Sequence, residues 1–387
     1  MTTYLLAGGG TAGHVNPLLA VADRLRRREP TATILVLGTA EGLEARLVPQ
    51  RGYELLTVPR LPFPRRPSRA ALGFPGALKG AVDGVRRLLR EHAVDVVVGF
   101  GGYASAPAYV AARREHVPLV VHEANAKPGM ANVLGSFLTP HVGVVFRSTK
   151  LRGARRVGMP LRDEIETLDR RARRQEALAE FGLDPALPTV LVTGGSSGAR
   201  RLNETVARSA ASIVGAGWQV LHITGEKSDL RSTGLAGHHL LRYCDRMDLA
   251  LAAADFVVSR SGSATVSELT ALGLPSVLVP YPVGNGEQRF NATDVVEAGG
   301  ALLVADADFT PEWVDRELVR LLLDRAAIAD MAVRAATVGV LDGTDRTVDL
   351  VLDAVDRASS SSRPAAHARG RSTATPTSPS ETDAENA

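Results

Sequence analysis

The sequence predicts an α/β protein of two Rossmann-like units, each a parallel sheet flanked by helices, facing one another across a cleft. Three observations carry this. Short apolar runs alternate with stretches of helical apolar spacing from Tyr4 to Asp356, as strands joined by right-handed crossovers do. A strand that runs into a glycine loop and opens a helix occurs at residues 4–28 and recurs from Thr189. The chain has 387 residues, 45% of them hydrophobic, which is too long for one core. The divisions are set at residues 1–160 and 161–341. A helix at about 342–357 finishes the second unit or crosses back over the first. Residues 358–387 are Ser, Thr, Pro and Ala with scattered charges. They have too little apolar surface to offset ordering entropy and are expected to be disordered.

Composition narrows the function classes. No apolar run reaches the roughly 18 residues of a membrane span. Residues 1–20 lack a cationic start and a cleavable apolar segment, so no secretion signal is expected. The single cysteine, Cys244, leaves no internal disulfide and no cysteine-built metal cage. The net charge of +3, without basic and aromatic interleaving, gives no reason to expect nucleic acid.

In the first half, Tyr4–Ala7 reads as a strand running into Gly8-Gly9-Gly10-Thr11-Ala12-Gly13-His14 and a helix to about Arg28. Gly8, Gly10 and Gly13 match the dinucleotide spacing, which also requires an acid at the end of the second strand to hold ribose. That strand, Ile34–Leu37, ends in Gly38-Thr39-Ala40, and the first carboxylate is Glu41 in the next loop. The nicotinamide reading weakens accordingly, and the lysine of a phosphate-binding P-loop is absent. His14 follows the glycines at a strand's C-terminal end, where open α/β sheets bind ligands. An imidazole suits a general base at neutral pH. Residues 59–90 mix Pro, Arg and large apolar residues, including Leu61, Phe63, Leu72, Phe74 and Leu78 beside Arg60, Arg65, Arg66, Arg69 and Lys79. This is either a loop leading to an ordinary amphipathic helix or an apolar knob ringed by cations for anionic lipid headgroups. Strands at Asp95–Val98 and Leu119–Val121 end in Gly99 to Ser105 and in His122-Glu123-Ala124-Asn125-Ala126. Polar loops converging at one sheet edge favour a site there. A further strand is expected at Gly143–Phe146.

In the second half, a charged helix is expected at Arg170–Phe181, then strands at Thr189–Thr193, Gln219–Thr224 and Leu240–Cys244. The glycine loop Gly194 to Ala199 opens a helix from about Arg201. The stretch from Asp255 to Asn291 organises this half. The strand Phe256–Val258 meets Ser259-Arg260-Ser261-Gly262 and a helix from Ser263, which Gly273 and Pro275 stop before a strand at Ser276–Val279. The first amides of a helix lack internal partners and carry positive potential, so the end at Ser263, Ala264 and Thr265 is an anion site. Glu268, one turn beyond Thr265, has no cation at i+3 or i+4 and suits ribose hydroxyls. The bland alternative is a capped helix with one solvated Glu.

These motifs, taken in order with Gln288 and Asn291, resemble the GT-B glycosyltransferases of family 28, from about residue 4 to residue 357. The resemblance implies transfer of N-acetylglucosamine from UDP-N-acetylglucosamine (UDP-GlcNAc) to the C4 hydroxyl of lipid I, undecaprenyl-diphosphate-MurNAc-pentapeptide. The product would be lipid II, for peptidoglycan synthesis. It implies no cofactor and no metal. It makes the first unit the acceptor and membrane domain and the second the nucleotide-sugar domain. By the same resemblance Cys244 meets uracil through its backbone and Glu268 holds ribose. Ser263, Ala264 and Thr265, with Val266 and Ser267 behind them, form the diphosphate end. Ser196 and Arg162 lie along the nucleotide, and Asn125 and Gln288 bond the sugar. Thr11, Ala12 and Gly13 complete the cleft. His14 is the candidate catalytic base, with Glu123 second. The sequence departs from the family pattern at Ala12 (usually Gly), Ala124 (Gln), Met159 (Asn) and Glu287 (Gln). The patch at about residues 60–80 then implies peripheral attachment to anionic lipids on the cytoplasmic side of the cell membrane. Rival readings are another GT-B UDP-sugar transferase, a UDP-sugar epimerase, or a noncatalytic nucleotide-sugar sensor.

Overall fold

A computed structural model describes residues 1–63, 69–195, 199–283 and 286–361. It contains two all-parallel sheets. The first is built from β1 (Thr3–Ala7), β2 (Thr33–Gly38), β3 (Glu54–Thr57), β4 (Val96–Gly99), β5 (Leu119–Glu123), β6 (His141–Val144) and β7 (Ala154–Arg156). The second uses β8 (Thr189–Thr193), β9 (Gln219–Ile223), β10 (His238–Leu241), β11 (Phe256–Ser259), β12 (Ser276–Leu278) and β13 (Ala301–Leu303). Their orders are β3-β2-β1-β4-β5-β6-β7 and β10-β9-β8-β11-β12-β13. In each, chain direction across the sheet reverses beside the first strand, where open α/β sheets open a crevice at the strands' C-terminal ends.

The helices of the first half are α1 (Ala12–Arg28), α2 (Glu44–Gln50), α3 (Arg69–Glu91), α4 (Ser105–Glu115) and α5 (Met130–Ser136). Next come α6 (Asp163–Glu166), α7 (Arg170–Glu180), α8 (Arg200–Gly215), α9 (Met247–Ala253) and α10 (Ser263–Ala271). The remainder are α11 (Glu287–Asn291), α12 (Thr293–Glu297), α13 (Pro311–Trp313), α14 (Val319–Leu323), α15 (Arg325–Ala336) and α16 (Gly343–Ser361). A π-helical turn, Val314–Leu318, joins α13 to α14.

Both sheets are apolar on two faces because helices cover both. In the first half, Tyr4, Leu6, Val36, Val96 and Val98 face α1 and α16, and Leu5, Leu35, Val97 and Val121 face the α3–α4 side. The last helix thus lies over the first sheet, packing against α1 and β4–β6 and burying Val348, Leu350, Val351 and Ala354. It also runs past the expected start of the tail. The Ser359 and Ser360 hydroxyls donate to the Val355 and Asp356 carbonyls and cap the continuing turn. Residues 362–387 lie outside the described residues.

Several strands differ from expectation, and β3 and β13 were not anticipated at all. The sixth is His141–Val144 rather than Gly143–Phe146, and Val145 and Phe146 instead join the core shared with the second half. The tenth stops at Leu241, whose carbonyl closes the ladder with the Thr224 amide at 2.8 Å, leaving Cys244 in the loop. Residues 154–156, where no strand was anticipated, pair with β6. The halves are joined at residues 157–163 and again at 338–343. There Gly158, at φ +90, packs on Val340, and Gly343 lies so close to the Met159 carbonyl that no Cβ would fit. Arg24 and Arg27 of α1 grip this hinge through Glu166 (2.6 Å) and Asp163.

Candidate active site

Strand register delivers the polar loops to one place. Ala7 is level with Gly99, so the loops at Gly8 and Phe100 lie side by side, and the Phe100 amide donates to Ala7 O at 2.8 Å. In the second sheet Ser259 is level with Thr193 and Leu278, which sets Arg260–Gly262 at the facing edge. Between them is a cleft cavity of about 440 Å³. Thr11, Gly13, His14 and Asn125 line it from one half, with Ser263, Ala264, Thr265 and Gln288 from the other. Ala12, exposed, begins α1 between Thr11 and Gly13.

His14 is half-buried. Its Nδ1 is 3.0 Å from Gly9 O and 3.3 Å from Thr11 Oγ1. A carbonyl only accepts, so Nδ1 carries the proton and Nε2 keeps its lone pair. Nε2 lies over Gly101, whose φ of +90 turns the second glycine loop beneath the ring.

Opposite, α10 begins at Ser263 and is preceded by Gly262, which is extended and has no side chain to cap the helix. The helical ladder starts with the Val266 amide on Gly262 O at 2.9 Å. The amides of Ser263, Ala264 and Thr265 therefore precede the ladder and face the cleft with the positive end of the helix. Val266 and Ser267 do not face it. Val266 is buried, and Ser267 turns its hydroxyl back to Ser263 O at 2.8 Å.

Glu268 points along the same helix and meets Arg162, 3.6 Å away. Burial raises its carboxyl above the ordinary range, and Arg162 opposes that shift. The sequence showed no cation near Glu268 because its partner comes from the hinge, not from its own helix. Cys244 is buried in the loop after β10, and burial pushes its thiol up to about 11. Ser196 lies outside the described residues.

Glu123, the second candidate base, is placed otherwise. It is 2% exposed, and both oxygens are occupied. Oε1 accepts from the Asn125 amide at 2.8 Å and its Nδ2 at 3.4 Å, while Oε2 accepts from the Gly129 amide and Asn132 Nδ2, both at 2.9 Å. A buried carboxylate with four donors organises the loop 124–129 and is not presented to a substrate.

Asn291 has a role that sequence reasoning missed. Its Oδ1 accepts from the Ala126 amide at 2.9 Å, and its Nδ2 reaches Ser261 O at 3.3 Å and Asn125 Oδ1 at 3.4 Å. It thereby ties the loop 124–129 of one half to the helix entry of the other. Gln288 is anchored by Oε1, which accepts from the Tyr281 amide at 2.9 Å, leaving its amide nitrogen for the cleft. Glu287 also lines the cleft, with Oε2 buried and unpartnered. Among the described residues no group of three or more His, Cys, Asp or Glu is placed to hold a metal ion.

Residues 4–143 match the glycosyltransferase family 28 N-terminal domain, and residues 189–347 match the family's C-terminal domain. A protein of Leifsonia xyli subsp. xyli (strain CTCB07) is 64% identical over 351 residues, 91% of this chain and 98% of its own. A protein of Streptomyces coelicolor is 51% identical over 355 residues, again 91% and 98%. Both are named UDP-N-acetylglucosamine--N-acetylmuramyl-(pentapeptide) pyrophosphoryl-undecaprenol N-acetylglucosamine transferase. The crystal structure of Acinetobacter baumannii MurG superposes with a TM-score of 0.77 at 26% identity, covering 91% of this chain and all of that one. A UDP-GlcNAc 2-epimerase from Neisseria meningitidis shares the fold alone, with a TM-score of 0.62 at 14% identity over 91% of this chain and 100% of that one.

Proposed function

Because the chain belongs to glycosyltransferase family 28, we propose that it moves N-acetylglucosamine from UDP-GlcNAc to the C4 hydroxyl of lipid I, giving lipid II and UDP. The observation that carries the reading is the cleft itself, with an uncapped helix start on one wall and a half-buried imidazole with a free Nε2 on the other. The donor diphosphate rests on the amides of Ser263, Ala264 and Thr265. Glu268 takes the ribose hydroxyls, with Arg162 beside it. Asn125 and Gln288 hold the sugar, and the backbone at Cys244 meets uracil. His14 Nε2 removes the C4 proton as that oxygen attacks the anomeric carbon. The bond from the anomeric carbon to the phosphate oxygen breaks on the opposite face, so configuration inverts. Charge developing on UDP is met by the helix amides, which are fixed before the reaction begins.

The lipid-borne acceptor requires the enzyme to work at a membrane surface. Among the described residues no helix is long and apolar enough to cross one. Peripheral attachment to the cytoplasmic leaflet through the patch near residues 60–80 fits Phe63, which is 57% exposed and in edge contact with Phe74 at 5.2 Å. Residues 64–68, with Arg65 and Arg66, and the side chains of Arg69 and Leu72 lie outside the described residues. Incubating the protein with lipid I and labelled UDP-GlcNAc tests the reading. Label in the lipid fraction supports it, whereas label that stays on an epimerised UDP-sugar, or does not move, contradicts it.

A further inference from the structure

Glu44 is fully buried at the start of α2, and the mechanism above makes no use of it. Its donors are two backbone amides and one hydroxyl. Oε1 accepts from the Thr39 amide at 2.9 Å and from Thr39 Oγ1 at 2.8 Å, and Oε2 accepts from the Gly10 amide at 2.8 Å. Burial opposes the charge, yet these donors outweigh it and hold the carboxyl below its ordinary range. Isolating a carboxylate from water without a cation is costly, so its position calls for a reason.

That reason lies in the peptide it touches. The Gly10 N–H that donates to Glu44 and the Gly9 C=O that receives His14 Nδ1 at 3.0 Å belong to the same peptide group. The peptide is also sterically pinned. A Cβ on Gly9 would overlap Glu44 Oε1, a Cβ on Gly42 would overlap the same carboxylate, and a Cβ on Gly102 would strike the Gly9 carbonyl from the other side. A carboxylate on the N–H end of a planar amide draws electron density toward the carbonyl oxygen, and hydrogen bonds in such a chain strengthen one another.

We infer that Glu44 is a positioning residue for His14, acting through the Gly9–Gly10 peptide group to fix the Nδ1–H tautomer and strengthen Nε2 as a base. The inference rests on the glycosyl-transfer reading for its kinetic consequence but not for its structural one. Glu44→Gln keeps the shape and removes the charge. Its plateau kcat falls about tenfold, a part of the 10²–10⁴ that a positioned base supplies, while the KM for UDP-GlcNAc stays within about twofold. The acid limb of its kcat/KM profile moves to lower pH, because a less basic imidazole protonates later. A variant with wild-type turnover and profile would overturn the inference. So would one with a lower plateau but an unmoved acid limb, since a merely structural lesion behaves that way.

Nitrogen-15 NMR of His14 in the wild-type chain supplies a readout that needs neither the variant nor the reaction. The Nδ1–H tautomer should dominate, with the Gly10 amide proton far downfield, and a dominant Nε2–H tautomer would refute the relay even if Glu44→Gln failed to fold. Should the wild-type chain transfer no sugar, the functional reading fails and this spectrum alone decides the role of Glu44.

Discussion

At the scale of single residues, the site divides its polar groups into those that face the cleft and those that hold others in place. His14 faces the cleft, and its Nδ1 contact with Gly9 O leaves one nitrogen for chemistry. His14→Ala should lower kcat by about 10²–10⁴ with little change in donor KM, measured by steady-state transfer; near-wild-type turnover would remove it from the role of base. Glu268→Ala should chiefly raise the KM for UDP-GlcNAc, and a loss confined to kcat would refute the ribose assignment. His14 was legible in the sequence because a strand and a glycine run lead straight to it. Glu123 was misjudged because its saturation depends on Gly129 and Asn132, whose return to the carboxylate is set by the loop and by α5. Glu44 was invisible for the opposite reason. In sequence it is one more acid near a helix start, and only the close approach of Gly9 and Gly42 shows that it is enclosed.

At the scale of elements, the two glycine loops of the first half form one unit. Gly102 has φ +86, and a Cβ there would meet the Gly9 backbone rather than a flexible side chain. Gly102→Ala should cost about 1–3 kcal/mol of stability and displace the His14 loop, seen as a lower denaturation midpoint with lost turnover. Full activity in that variant would mean that the loops do not lock together. Helix α10 was predicted at its true start because Ser259–Gly262 break the apolar run ahead of it. Its inward face was only partly legible, since Ser263, Ser267 and Thr270 are buried on it, and small hydroxyl residues do not advertise burial. The strands left unread or shifted lie toward the sheet margins. There β3 is half-exposed and β13 has three residues, too short for alternation or a continuous apolar run to declare them. The membrane patch is tested best at Phe63 and Phe74, because Leu78 packs partly on the core. Phe63→Asp with Phe74→Asp should reduce sedimentation with anionic vesicles, and unchanged binding would rule the patch out.

At the scale of the whole molecule, both sheets carry buried histidines, which sets how the fold responds to acid. Burial lowers His122 to about 4, and burial with the neighbouring His238 lowers His222 to about 3. The His222 and His238 rings stack, with Nδ1 and Nε2 3.2 Å apart, so two protons cannot be added without breaking that contact. Unfolded histidines take up protons below about pH 6.5, so the unfolded state binds more protons between that pH and about 4. Stability from these sites is complete above pH 6.5 and falls on acidification, by up to ~1.4 kcal/mol per pH unit for each proton. Glu268, whose carboxyl is raised, works in the opposite sense. Urea titrations at pH 7.5 and 5 should show the loss, and equal midpoints would contradict it. The two-sheet architecture was legible because βα alternation is a chain-long pattern, but the placement of α16 over the first sheet was not, since its apolar stripe fits either partner. The proposed reaction rests on one geometry, in which the donor would lie on the second half and the attacking alcohol would enter from the first. A crystal structure with UDP-GlcNAc tests this most directly. The diphosphate is predicted against the amides of Ser263–Thr265, with ribose on Glu268 and the anomeric carbon turned toward His14. A nucleotide lodged against Gly8–Gly13, with nothing at Thr265, would contradict it.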